Sequence, residues 1–149
     1  MMGATPVRNR AVIPILHHIR SLESYVERSG ARLIRTTLPE AVHGRVSSDL
    51  ITLRAGLDPE QELLTLVHEL AHWLAHRGMN PTAHCTIFEY EAEAVEALVM
   101  SQLGLPRPIH DSNLEDDNPT DSLLSASVAR VRWASGRICH ALGVQRSGA

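Results

Sequence analysis

The sequence predicts an α+β domain of about four helices with a small antiparallel or mixed sheet ahead of the second helix. Three observations carry this. Apolar residues recur at helical spacing in four segments punctuated by glycine and proline. Between the first and second of these lie two short stretches rich in Val, Ile, Leu and Thr, bounded by turn residues. The chain has 149 residues, 44% of them hydrophobic, which is enough for one core and too little for two comfortable ones. The whole of residues 1–149 is therefore read as a single domain.

Residues 1–9 lack an apolar pattern and read as a flexible N-terminus. A first helix follows from about Arg10 to Arg28, with Val12, Ile15, Leu16, Ile19, Leu22 and Val26 on its apolar face and Gly30 ending it. Pro14 belongs in its first turn or just before, which moves the start toward Ile13. Ala31 to Thr37 and Arg45 to Leu53 read as two or three strands, with Pro39 and Gly44 as turn signals. The second helix runs from about Pro59 to Arg77. Asp58 suits its N-cap, Pro59 its first position and Gln61 an approximate capping box, while Gly78 and Pro81 mark its end. A third helix spans about Ile87 to Leu103, with Phe88, Ala92, Val95, Leu98 or Val99, and Gln102 inward, before Gly104 and Pro106. Residues 106–119 form a polar loop carrying five Asn or Asp and three Pro, long enough for a lid or a connector. The last helix, about Thr120 to Leu142, turns Leu123, Leu124, Val128, Val131, Ile138 and Leu142 inward and leaves Arg130, Arg132 and Arg137 to solvent.

Within the second helix stands His68-Glu69-Leu70-Ala71-His72, an HExxH motif. Positions four apart on a helix differ by roughly 40° of rotation and one turn of rise, so two imidazoles at this spacing can reach one ion. Glu69, beside the first of them, is then free to act as a general base on a water activated by zinc. Charged and imidazole groups set among Leu66, Val67, Leu70 and Leu74 are costly to bury unless paired or bound to metal.

Catalytic zinc usually takes three protein ligands and leaves a position open for water. A third His six residues after the second is excluded, because that position is Gly78. A carboxylate from the third helix is the other solution. Glu89 and Glu93 lie one turn apart along one edge of that helix. We take Glu89 as the ligand and Glu93 as the acid that orients a ligating His, with the reverse assignment open. Glu91 and Glu96 read as a solvated acidic face. His76 lies too far along the helix to share the ion with both other histidines, and His84 sits in a loop of undefined direction.

These residues resemble those of a known family. His68-Glu-Leu-Ala-His-Trp followed by Glu89-x-Glu91-Ala92-Glu93-x-Val95 is similar to the ImmA/IrrE-like metallopeptidases and to the related peptidase domain of ArdC-type antirestriction proteins. The resemblance covers about Arg45 to Leu105. It implies a small zincin-like, gluzincin-type fold in which Zn²⁺ is held by His68, His72 and the first Glu of an ExxA motif, here Glu89 and Ala92. It also implies a hydrolase that cleaves a peptide bond in a protein substrate, of regulatory or mobile-element character, with a regulatory protein partner as one expectation. Glu93 and Glu96 stand where the ImmA branch usually has Asn and Ala, a departure toward the ArdC-like branch. An edge strand beside the metal would then hold an extended substrate by ladder hydrogen bonds. The oxyanion would need a further donor, with His43, His84 and Tyr90 as candidates.

Composition narrows the alternatives. A net charge of −3, no Lys and scattered Arg give no strong nucleic-acid signal. Cys85 and Cys139 have no paired spacing and read as reduced thiols. With no signal-like or membrane-length apolar run, the expectation is a cytoplasmic protein. Two other readings stay in view: a non-catalytic, zinc-stabilised antirestriction or regulatory interaction module, and a helical interaction domain without metal.

Overall fold

The computed structural model of the chain describes residues 6–79, 85–106 and 121–144. They form an α+β domain of four helices and one three-stranded mixed sheet, in the order α1 (Pro6–Arg28), β1 (Arg32–Thr36), β2 (Gly44–Ser47), β3 (Leu50–Arg54), α2 (Pro59–His76), α3 (Cys85–Leu103) and α4 (Asp121–Leu142).

Helix α1 starts four residues before the expected Arg10, which removes residues 6–9 from the expected flexible N-terminus; residues 1–5 lie outside the described residues. The physical reason is Pro6, whose fixed φ and missing N–H suit a first helical position. Pro14 is thus interior rather than near the start, and it sits exposed on the solvent side. The buried stripe is Ile15, Ile19, Leu22 and Val26, at alternating steps of four and three. Leu16, expected inward, is exposed. Gly30, at φ 92°, takes the left-handed conformation that ends the helix.

The sheet order is β1-β3-β2, with β1 parallel and β2 antiparallel to β3. Gly44 opens β2 instead of marking a turn; the tight turn is Ser48-Asp49, where Ser48 has φ 51°. Helices cover one face, where Ile51 and Leu53 of the central strand are fully buried against α2. Arg35 of β1 fastens this layer, donating from Nε to Glu62 of α2 at 2.6 Å and pairing with Glu23 of α1.

Helix α2 is the centre of the molecule, packed by α1, α3, α4, β2 and β3, and is buried over most of its circumference. Asp58 caps it by accepting from the Gln61 N–H at 3.0 Å, with Pro59 next. Helix α3 buries Phe88, Ala92, Val95, Val99 and Met100, and leaves Leu98 exposed. In α4 the buried side chains are Ala134, Ser135, Ile138, Cys139 and Leu142, whereas Val128, expected inward, is half exposed. Cys139 is a free thiol. The expected polar loop lies, but for Pro106, outside the described residues. Among the described residues no helix is long and apolar enough to cross a membrane.

Candidate metal centre

His68 and His72 sit mid-α2, one turn apart, their rings edge to face with centroids 4.8 Å apart. Because α3 returns antiparallel beside α2, its first turns meet the later residues of α2. Glu89 therefore reaches across to both rings: Oε1 lies 2.8 Å from His72 Nε2 and Oε2 lies 3.3 Å from His68 Nε2. The two Nε2 atoms are themselves 3.2 Å apart. Donors on a tetrahedral ion with bonds of about 2.0–2.1 Å stand about 3.3 Å from one another, and the two imidazole nitrogens, 3.2 Å apart, already have that spacing with one oxygen of the Glu89 carboxylate beside each. His68, His72 and Glu89 form a group whose ligand atoms lie within 4.8 Å of one another.

The residues fit a zinc-like cation on chemistry as well as spacing. His68 Nδ1 contacts a carboxylate oxygen of Glu96, which is 2% exposed. A carboxylate accepts, so His68 Nδ1 carries a proton, and a cation bound at Nε2 would leave that as the ring's one proton. Burial opposes charge on His68, yet contacts with Glu89 and Glu96 outweigh it and push its pKa up to about 10. Hydrogen bonds with His68 and His72 hold the Glu89 carboxyl far below the usual carboxylate range, against a smaller burial penalty. Both shifts reflect the close approach of these carboxylates to the two imidazoles.

The orienting acid is Glu96, not the expected Glu93, and neither Glu96 nor Glu91 is solvated: each is 2% exposed. The helical wheel explains all three corrections. Glu96 lies seven residues from Glu89, two turns less about 20°, and rotates toward α2, while Glu93 at four residues rotates about 40° the other way. Glu91 falls on the opposite edge of the buried stripe, beside α4. There it accepts from Arg130, which donates from Nε at 2.9 Å and from its terminal nitrogen at 2.8 Å; Arg130 is therefore an ion-pair partner and not a solvated side chain. Glu91 also lies 2.8 Å from His76 Nε2, and His76 Nδ1 is 3.0 Å from His72 Nδ1. Burial opposes ionisation of Glu91, but His76, Arg130 and Ser127 hold its pKa down to about 2. His76 is thus beside the ligand group and not in it.

Glu69 is 8% exposed and borders two clefts that meet at Glu89. Burial raises its pKa above the ordinary carboxylate value, against the opposing pull of His68 and His72. The larger cleft, of about 820 Å³, is walled by β2, Glu69, His72, Trp73, Arg77 and Phe88. Its far end is tied together by Asp49, which accepts from Trp73 Nε1 at 3.0 Å while the Arg77 guanidinium lies 4.2 Å over the Trp73 ring.

Strand β2 is the free edge of the sheet beside this cleft. Arg54 N–H donates to the His43 carbonyl at 2.7 Å, making that pair hydrogen-bonded. By antiparallel alternation Arg45 and Ser47 bond toward β3, and the backbone groups of Gly44 and Val46 point outward. Gly44 is required by close approach: a Cβ there would lie 2.7 Å from Thr65 Cγ2 and 3.0 Å from Glu69 Cγ. Sequence reading took this glycine for a turn residue and missed it.

Of the expected oxyanion donors, His43 lines the smaller cleft with His68 and Glu69, Tyr90 borders neither cleft, and His84 lies outside the described residues. Compared with known proteins, the chain matches no family model, no curated protein and no solved structure.

Proposed function

We propose that this chain is a zinc-dependent metallopeptidase of the gluzincin kind, with a zincin-like fold akin to that of the ImmA/IrrE and ArdC-type enzymes. The observation that carries the reading is the convergence of His68 Nε2, His72 Nε2 and the Glu89 carboxylate, whose Oε1 lies 2.8 Å from His72 and whose Oε2 lies 3.3 Å from His68, with Glu69 on the adjoining cleft wall.

His68, His72 and Glu89 would hold the ion and leave its remaining position open to the cleft. Zinc supplies Lewis acidity there, lowering the pKa of water toward neutrality and polarising a carbonyl. Glu69 takes the proton of the attacking water on its carboxylate and returns it to the leaving amine nitrogen. Its raised pKa suits both halves of that task, since a base that later acts as an acid works best near the operating pH. Gly44 and Val46 would hold the substrate backbone as an added strand. His43, on the wall beside His68, would face the developing oxyanion.

The test is elemental analysis of the wild type, His72→Ala and Glu69→Gln, followed by a peptide-library cleavage assay. The expected result is one zinc per chain in the wild type and Glu69→Gln, none in His72→Ala, and cleavage by the wild type alone. Zinc in the wild type with no cleavage would favour the interaction-module reading. Loss of zinc in Glu69→Gln would overturn the division of roles.

A further inference from the structure

In the proposed ligand set His72 is unusual, since among the described residues its second nitrogen meets no carboxylate or carbonyl. It meets another imidazole, and the chain of contacts continues across three helices: His72 Nδ1 to His76 Nδ1 at 3.0 Å, His76 Nε2 to Glu91 Oε1 at 2.8 Å, and Glu91 to the Arg130 guanidinium at 2.8–3.2 Å. His76 is 9% exposed and stacks on Phe88, centroids 4.1 Å apart and planes 17° apart, so its ring cannot turn freely. From these contacts we infer that His76, Glu91 and Arg130 are positioning residues for the metal ligand His72, and that Arg130, on α4, fixes the direction of every proton in the chain.

The proton positions are fixed from both ends of this chain of contacts. A guanidinium only donates, and Arg130 donates to both oxygens of Glu91, so Glu91 is a carboxylate that only accepts. His76 must then carry a proton on Nε2. At the other end, an ion on His72 Nε2 leaves that ring one proton, on Nδ1. It has to be accepted by His76 Nδ1, which is bare only if the His76 proton is on Nε2. Both ends demand the same tautomer of His76. A ligating imidazole whose other N–H is accepted is held in plane and made a stronger donor. Here the acceptor is an imidazole braced by a buried ion pair, which couples the seating of α4 against α3 to the quality of the metal site.

This inference rests on the metal reading of His68, His72 and Glu89, but not on catalysis. Glu91→Gln is the sharp test because it keeps the shape. With its oxygen facing Arg130, the Gln amide would present N–H to His76 Nε2; the His76 proton moves to Nδ1 and opposes the N–H of His72. Zinc affinity is measured by chelator competition in the folded wild type, Glu91→Gln, Arg130→Gln and Glu93→Gln. Long-range ¹H–¹⁵N correlation on the zinc-loaded wild type reads the histidine tautomers. We expect zinc affinity to fall about tenfold to a hundredfold in Glu91→Gln and Arg130→Gln, to stay within twofold in Glu93→Gln, and His76 to be the Nε2–H tautomer. Wild-type affinity in folded Glu91→Gln, or a proton on His76 Nδ1, would overturn the inference while leaving the metal site standing. If Glu91→Gln fails to fold, the tautomer decides. If the wild type takes up no metal, both readings fall together, whereas zinc binding without peptidase activity leaves this one intact.

Discussion

Glu89 and Glu93 stand one helical turn apart, and that turn separates a carboxylate 2.8 Å from His72 from one that joins no ligand contact among the described residues. Glu89→Ala should therefore abolish stoichiometric zinc. Glu93→Ala should keep it, and should move stability by no more than about 0.5 kcal/mol, as expected of a substitution outside the packed contacts. Zinc content and urea midpoints of the two variants check this, and a Glu93→Ala protein without metal would reverse the assignment. The two histidines were legible in the sequence because i and i+4 on one helix fix their relation locally. Glu91 and Glu96 were misread because their burial depends on how α3 is rotated against α2 and α4, which no periodicity within α3 sets. A Glu-rich helix looks solvated until its partners are known.

Strand β2 and helix α1 each carry a consequence of packing that their own sequences understate. In Gly44→Ala the new methyl would meet Thr65 Cγ2 at 2.7 Å, Glu69 Cγ at 3.0 Å and the Thr52 carbonyl at 3.1 Å. Side chains can give way; the carbonyl belongs to the ladder and cannot. The expected cost is about 1–3 kcal/mol of overpacking, with Glu69 displaced, so that cleavage falls further than zinc content; equal activity per folded molecule would show that β2 does not set Glu69. In α1, His18 has a buried Nδ1 with no partner among the described residues, and burial, helped by His17, lowers its pKa below the ordinary 6.5. The sign follows. As pH falls through 6.5 the unfolded chain takes up a proton that the folded chain refuses, so His18 removes stability until its lower folded pKa is passed. Between pH 7.5 and 5.5, His18→Leu should lose less of its urea midpoint than the wild type does, and parallel losses would refute the burial argument. The helices themselves were read nearly to their ends where a cap is local, as at Asp58 and Gly104. The sheet was legible as strands but not as an order, since parallel pairing of β1 with β3 is a long-range choice.

At the scale of the whole molecule, the fold gathers acidic groups around one point. Glu69, Glu89 and Glu96 border the two inward-facing imidazoles, and the cationic Arg130 is already spent on Glu91. Carboxylates brought this close repel unless a cation or bound protons offset them, so a metal ion would stabilise the packing of α3 on α2 as well as serve chemistry. An ion that binds only the folded chain adds RT ln(1 + [L]/Kd), about 2.7 kcal/mol at a hundredfold excess over Kd. For a domain of about 150 residues each kcal/mol moves the melting temperature by about 2–4 °C, so zinc at that excess should raise it by about 5–11 °C. Thermal scans of chelator-stripped protein with and without added zinc read this directly. The same scans on His72→Ala should show no zinc-dependent rise, which separates the site from adventitious binding by the other histidines. A stripped wild type that melts at the same temperature with and without zinc would mean that the acidic cluster is neutralised by protons alone, and that the domain is built without need of an ion.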